Sequence, residues 1–187
     1  MITFKKYINQ IDLSEAKNTH LSHIDQSILI DGADGIRTTI NFLESLINML
    51  EGGKGGTIKI GLKWDGAPGL VAGFDPESKK FFVGTKSVFN ITEPKLCYFD
   101  DDVDTYYQGD LANKLKASLE HFKKLDIGGV IQGDLLYTDD VSQENINGQN
   151  LYTFRPNTIT YAIPVDHPLG EQCKLSKIGV VFHTHYT

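Results

Sequence analysis

The fold is decided by the stretch Lys63-Trp64-Asp65-Gly66-Ala67-Pro68, which follows the alternating segment Thr57-Ile58-Lys59-Ile60-Gly61-Leu62. Alternation of this kind predicts a strand over residues 57–63 that delivers Lys63 into a turn. Asp65 and Gly66 are typical turn residues, and a glycine lets the backbone approach a nucleotide closely. Because a lysine amine held in this way can attack a phosphorus atom, the first hypothesis is covalent nucleotidyl transfer through Lys63.

The composition is that of an acidic chain with room for one sizeable core. Its 187 residues include 24 acidic and 18 basic side chains, which gives a net charge of -6. This balance argues against a broad basic surface for duplex DNA, so any contact with nucleic acid is expected to be local. Cys97 and Cys173 match no metal-ligand spacing and are expected to be free thiols in a reducing compartment. No apolar run reaches the length of a membrane span, so we expect a cytoplasmic protein without a membrane partner.

Periodicity predicts an α+β fold, with a mixed, mainly antiparallel sheet and flanking helices. One helix is predicted from Asp34 to Leu50 and a second from Leu111 to Leu125. Residues 139–150 are polar and are predicted to form a loop. The predicted strands cover residues 57–63, 69–74, 80–85, 130–137, 158–163 and 178–186.

The predicted domain organisation is one domain with a short N-terminal extension. Residues 1–32 are expected to pack as an extension on a domain that spans residues 33–187. The sequence ends on a predicted strand at His185-Tyr186-Thr187. We therefore expect a domain that is truncated at its C-terminus.

Other residues supply what nucleotidyl transfer by a lysine would need. The attacking amine must be neutral, and Lys86 is a candidate second cation that favours this form and binds a phosphate. Asp134 stands between Gly133 and Leu135 on a predicted strand, where its carboxylate could hold ribose hydroxyls or Mg²⁺. An unpaired carboxylate in apolar company is costly, which favours a functional role. Three aromatic residues are candidates to stack on the base: Trp64, Phe82 and Phe89.

These motifs resemble those of the covalent nucleotidyltransferase superfamily of ATP-dependent DNA ligases, RNA ligases and mRNA capping enzymes. The family's K-x-D-G motif is matched by Lys63-Trp64-Asp65-Gly66, and Thr85-Lys86-Ser87-Val88-Phe89 resembles a strand end of the RNA-ligase branch. The stretch Gln132-Gly133-Asp134-Leu135-Leu136 is similar to a later acidic strand, with Asp where Glu is usual.

The resemblance implies a ligase-type nucleotidyltransferase domain with Lys63, Asp65, Lys86 and Asp134 in the catalytic site. It also implies that Trp64, Gly66, Phe82, Ser87 and Phe89 contact the nucleotide. Lys63 would take up AMP from ATP with the help of Mg²⁺, and the acceptor would be an RNA end more than a DNA end.

Two further comparisons bear on this implication. The span from about His20 to Tyr186 also resembles an uncharacterised family of tailed bacteriophages, which would place the protein in a phage-infected bacterium. The sequence departs from the ligase pattern at Pro68, where an arginine is frequent, and it lacks a match to the final K-x-K motif.

A pair of histidines raises a metal site as an alternative interpretation. His183 and His185 stand two apart on a predicted strand and are expected to share a face, where they could bind a metal together with Asp134. Two rival functions follow. One is a metal-dependent hydrolase that uses Asp65, Asp134 and the two histidines, and the other is a non-catalytic phage binding or assembly module.

Overall fold

The computed structural model describes residues 24–52 and 61–186, and these group into two compact units that meet in sequence between Lys63 and Trp64. Within these ranges, no helix combines the length and the apolar character needed to cross a membrane. The first unit contains α1 (Ile24–Leu50). The second contains β1 (Gly69–Phe74), β2 (Phe81–Gly84), a short 3-10 helix (Lys86–Phe89), α2 (Asp100–Tyr106), α3 (Gly109–Phe122), β3 (Val130–Tyr137), β4 (Ser142–Ile146), β5 (Gln149–Phe154), β6 (Tyr161–Pro164), α4 (Pro168–Leu175) and β7 (Gly179–Tyr186).

The first unit confirms the helix predicted over residues 34–50. α1 begins earlier, at Ile24, and is broken at Gly32, whose φ of 55° is open to glycine at little cost. The domain boundary predicted between residues 32 and 33 stays a prediction, since the compact units divide the chain at other positions. Of the strand predicted over residues 57–63, positions 57–60 lie outside the described residues, and positions 61–63 have no regular structure.

The second unit is built on a four-stranded sheet in the order β2-β1-β3-β7. β1 and β3 match their predicted ranges of 69–74 and 130–137. The α+β prediction is confirmed in its coarse form, since helices accompany antiparallel sheets. The finer prediction of one mixed sheet differs from the structure, because every strand pair among the described residues is antiparallel and the strands form two sheets.

Both faces of the four-stranded sheet are covered. On one face, α2 and α3 bury an apolar stripe against the sheet, as the spacing of leucines in α3 predicts. Its members include Val103, Leu115, Leu119 and Phe122, each at most 2% exposed. The opposite face carries a smaller cluster around Val71 and a third cluster that joins it to β5, β6 and α4.

The loop predicted over residues 139–150 is wrong. β4 and β5 form a hairpin there, with Asn147 and Gly148 at its turn in left-handed conformations, which are common for such residues in tight hairpins. All five residues of β4 are exposed, so the segment has no buried face and no apolar alternation. The second sheet, β4-β5-β6, therefore has an edge strand with no hydrophobic signal in the sequence.

The two cysteines are free and buried, which confirms that they form no disulfide with each other. Burial raises the pKa of the Cys97 thiol to about 11, and the nearby Asp102 carboxylate adds to the effect. Cys97 therefore stays protonated near neutral pH and acts as a small core residue.

Candidate functional site

The turn that contains Asp65 and Gly66 packs directly on β3 at Asp134. The Ala67 amide donates to the Leu135 carbonyl at 2.9 Å, and the Leu135 amide donates to the Pro68 carbonyl at 3.0 Å. A Cβ at Gly66 would collide with the Leu135 carbonyl oxygen and would lie 2.9 Å from the Asp134 Cβ. Gly66 is thus needed for close approach to the backbone of β3, and its predicted contact with a nucleotide stays a prediction.

Asp65 is held in place by Tyr161 of β6 and by Asn157 in the loop that precedes it. Its amide donates to the Tyr161 hydroxyl at 2.7 Å, and that hydroxyl lies 3.3 Å from the Asp65 carbonyl. The Asn157 amide donates to the Asp65 carboxylate at 3.1 Å. These contacts tie the turn to β6 and fix the backbone just after Lys63 and Trp64.

Trp64 packs inward against the third cluster. Its ring centroid lies 4.9 Å from that of Tyr161 and 6.4 Å from that of Phe154. The side chain is half-buried, so part of the indole is still accessible. Its predicted role in stacking on a base stays a prediction.

Asp134 lies beside the same turn. It pairs with Gly69 across β1 and with Val181 across β7, and its side chain is 28% exposed. The carboxylate is therefore neither fully buried nor fully solvated. His183 Nε2 lies 3.7 Å from its Oδ1 atom, within ion-pair distance when the imidazole is protonated.

A β-bulge in β7 separates the two histidines. Gln132 pairs with Thr184 and Gly133 pairs with Phe182, so His183 is an extra residue between two ladder positions. His185 pairs with Ile131, and residues 131 and 134 of β3 point to opposite faces. The prediction that His183 and His185 share a face is therefore wrong.

The bulge leaves Asp134 and His183 on one face and His185 on the other. His185 contacts the Gly128 carbonyl through Nε2 at 2.6 Å. Over residues 24–52 and 61–186, no three His, Cys, Asp or Glu side chains are grouped as a metal site would require. The metal site predicted from Asp134, His183 and His185 is not assembled in this part of the chain.

Lys86 lies at the end of the sheet that holds Asp134. Val71 pairs with Gly84 on one side and with Gln132 on the other. Two residues further along the same strands, Gly69 pairs with Asp134, and the chain after Gly84 runs toward that pair. Lys86 itself is exposed and begins the 3-10 helix.

Ser87 belongs to a cluster of three hydroxyl groups. Its Oγ lies 2.7 Å from the Tyr107 hydroxyl and 2.9 Å from the Thr85 Oγ1. The third contact, between Thr85 and Tyr107, is 3.2 Å. The cluster anchors the 3-10 helix to the end of α2 and so fixes the backbone that carries Lys86.

Two of the predicted stacking residues are used in packing. Phe82 is 0% exposed within the cluster around Val71, so its ring is not available to a ligand, and the prediction for Phe82 is wrong. Phe89 is half-buried and its centroid lies 5.0 Å from that of Tyr186. The continuous apolar run of β2 does not tell which aromatic residues face the core and which face a pocket.

Lys63 is exposed and is the last residue of the first unit. The residues that the structure does bring together are Asp65, Gly66 and Asp134, with Lys86 at the same end of the sheet. Tyr161, Asn157 and Tyr107 were missed by sequence reasoning. They carry no motif, and Tyr161 stands 96 residues from the aspartate that it orients.

Comparison with known proteins gives a family without an assigned function. No curated protein and no solved structure matches the chain. A family model described as "Family of unknown function (DUF6267)" matches residues 18–187. Since this match covers most of the sequence, the chain belongs to the DUF6267 family.

Proposed function

We propose that the protein is an ATP-dependent nucleotidyltransferase of the ligase type, which forms a covalent lysyl-AMP on Lys63. One observation carries the proposal: the Asp65-Gly66-Ala67-Pro68 turn is hydrogen bonded to β3 beside Asp134. Two motifs that stand about 70 residues apart in sequence are thereby joined at one end of a sheet. A K-x-D-G sequence that occurred by chance would not be expected to contact the second motif at Asp134.

In the proposed step the Lys63 Nζ attacks the α-phosphorus of ATP. A P–N bond forms, the bond from the α-phosphorus to the bridging oxygen breaks, and pyrophosphate leaves with that electron pair. The proton released from the amine passes to solvent. Lys86 contributes positive charge where the phosphates lie.

Mg²⁺ fits the chemistry of this site, although the protein would supply only part of its ligands. Magnesium is commonly held by one or two carboxylates together with substrate phosphates and water. Asp134 is the carboxylate that would hold it. When bound, Mg²⁺ neutralises charge on the phosphates and on the leaving pyrophosphate.

The proposed acceptor is the 5′ end of a polynucleotide, with RNA ahead of DNA. This preference rests on the likeness of Thr85-Lys86-Ser87 to the RNA-ligase branch. In the second step an oxygen of the acceptor's terminal 5′-phosphate attacks the phosphorus of the lysyl-AMP. A P–O bond forms, the P–N bond breaks, and the Lys63 amine leaves with that electron pair and takes up a proton from solvent.

The test is retention of label from [α-³²P]ATP and Mg²⁺ after the protein is denatured. Wild type is expected to keep the label, Lys63→Ala to lose it, and Asp134→Asn to retain much less. Lys174→Ala is the matched control, because Lys174 is also an exposed lysine but lies on α4. Its labelling should equal that of wild type.

Two outcomes would contradict the proposal. Binding of ATP without retained label would favour the non-catalytic binding module. Label that survives in Lys63→Ala at the wild-type level would place the chemistry elsewhere. No observation favours the metal-dependent hydrolase, since β7 places His185 away from Asp134.

A further inference from the structure

Phe99 is an exposed aromatic ring whose backbone is fixed. Its side chain is 56% exposed. The amides of Tyr98 and Phe99 donate to the Asp102 carboxylate at 2.9 and 3.0 Å, which holds the chain at the start of α2. The ring is therefore presented to solvent from a rigid support.

Two lysines from separate elements lie over this ring at cation–π distance. Lys80, just before β2, places its Nζ 5.4 Å from the Phe99 centroid. Lys123, just after α3, places its Nζ 5.8 Å from the same centroid and 3.4 Å from the Tyr98 carbonyl oxygen. Phe99 stands 19 residues after Lys80 and 24 residues before Lys123, so the three side chains meet only in the fold.

These two lysines differ from their neighbours in charge pairing. Lys116 forms an ion pair with Asp104 at 2.7 Å, and Lys124 lies 3.5 Å from Glu120. Among the described residues, neither Lys80 nor Lys123 has a carboxylate within ion-pair distance. The positive charge beside Phe99 is thus available to an anionic partner.

The acidic residues near the patch are mostly engaged. Asp102 accepts backbone hydrogen bonds, whereas Asp104 and Glu120 are paired with lysines. Asp100 pairs with no lysine or arginine of the described residues, and it lines the open cleft of about 620 Å³ beside Phe99 and Lys123.

We propose that Phe99, Lys80 and Lys123 form a contact site for single-stranded nucleic acid. An exposed ring stacks on an unpaired base, and flanking ammonium groups bind the phosphates on either side. A duplex offers no free base face along its length, and the net charge of -6 opposes binding that depends on phosphates alone. Stacking of a base on Phe99 supplies binding free energy that the phosphate contacts alone do not provide.

The site lies at the opposite end of β2 from Lys86. Lys80 precedes β2 and Lys86 follows it, so the extended chain separates them by at most about 20 Å. A strand of a few nucleotides can cover this distance. The inference names an acceptor and therefore rests on the proposed function. Phe99 would hold the body of the nucleic-acid strand whose 5′ end reacts. The binding itself needs no ATP.

The experiment is fluorescence anisotropy with a labelled, unstructured single-stranded RNA, without ATP. Phe99→Ala is expected to weaken binding roughly tenfold, and Phe99→Trp to restore it, because base stacking needs only an aromatic face. Lys123→Ala should weaken binding and lower the salt slope by about 0.7, the value for one lost phosphate contact on a single strand. Lys124→Ala, one residue away but paired with Glu120, is the matched control.

Several results would overturn the inference. These are no binding of RNA by wild type, equal losses in Lys123→Ala and Lys124→Ala, or preferential binding of a glutamate-rich peptide at the same patch. Urea unfolding checks that the Phe99→Ala variant is folded. If it is not, RNA binding by the Lys123→Ala variant tests the inference instead. RNA binding through Phe99 in a protein that never forms lysyl-AMP would refute the proposed function and leave this site standing.

Discussion

His183 Nε2 lies 3.7 Å from Asp134 Oδ1 because a β-bulge in β7 turns the histidine toward the carboxylate of β3. Without the bulge, the ladder that pairs Ile131 with His185 would direct residue 183 to the helix side of the sheet. Bulges often re-aim a side chain beside a functional site. The contact makes His183 a positioning residue for Asp134.

The two histidines should therefore differ in their effect on lysyl-AMP formation. His183→Asn should lower the labelling rate by up to about fivefold, since a partly exposed ion pair contributes up to about 1 kcal/mol. His185→Asn should leave the rate within about twofold, because its side chain lies on the other face. Equal rates in the two variants would contradict the assignment; the measurement is single-turnover labelling with [α-³²P]ATP.

Gly66→Ala should disrupt the turn that carries the proposed site. The added Cβ would meet the Leu135 backbone, which cannot move aside as a flexible side chain would. We expect a stability loss of about 1 to 3 kcal/mol, typical of overpacking, and at least tenfold slower labelling. Urea unfolding and the labelling assay measure the two effects. Gly128→Ala is the control, since a Cβ there meets no atom within 4 Å; a Gly66→Ala protein as stable as this control would count against the described turn.

Tyr161→Phe should loosen Asp65 without removing any apolar packing. The variant loses the hydroxyl that accepts from the Asp65 amide at 2.7 Å, and one such bond contributes about 1 kcal/mol. We expect that loss in urea unfolding together with slower labelling. Tyr152→Phe is the comparison, because Tyr152 borders the same cluster and no hydroxyl bond of this residue contributes to the turn. The idea fails if both variants label at the same rate.

Asp75 should make stability depend on pH in the acid range. Burial raises the pKa of Asp75, but hydrogen bonds from Ser78, Glu77 and Tyr98 outweigh it, so the pKa lies below its ordinary value of 3.8. A lowered folded-state pKa means that the carboxylate stabilises the fold above pH 3.8 and loses this contribution as the pH falls through the folded value.

Asp75→Asn is thus expected to be less stable than wild type near pH 7 by about 1 to 3 kcal/mol. The difference should shrink as the pH is lowered below about 4, where the wild-type carboxylate takes up its proton. Urea unfolding from about pH 7 to about pH 3 measures it. Asp166→Asn, at an exposed position, should show no such trend, and a constant gap for Asp75→Asn would contradict the hydrogen-bonded carboxylate.

The sequence predicted those parts of the fold that depend on a buried face. β1, β3 and the second half of α1 follow from apolar periodicity, and so does α3. The hairpin of β4 and β5 was missed because every residue of β4 is exposed. α2 was missed because its first turn is acidic, and a short run of Asp residues is equally typical of a solvated loop.

The sequence did not predict those parts of the site that depend on contacts between residues far apart in the chain. The resemblance implied that the K-x-D-G motif and Asp134 belong to one site, and the structure packs Gly66 beside Asp134. The bulge at His183 could not be predicted, since one extra residue in a ladder leaves no mark in the pattern of side chains. The same holds for Tyr161, whose hydroxyl orients Asp65 from a distant strand.

The most direct test of the central claim is to locate the modified residue. Wild type and Lys86→Ala are incubated with ATP and Mg²⁺, digested, and analysed by tandem mass spectrometry for a lysine that carries one AMP. The account predicts AMP on Lys63 in both proteins, in lower yield in Lys86→Ala. AMP on Lys86 or another lysine, or unmodified Lys63 in wild type that has bound ATP, would contradict it.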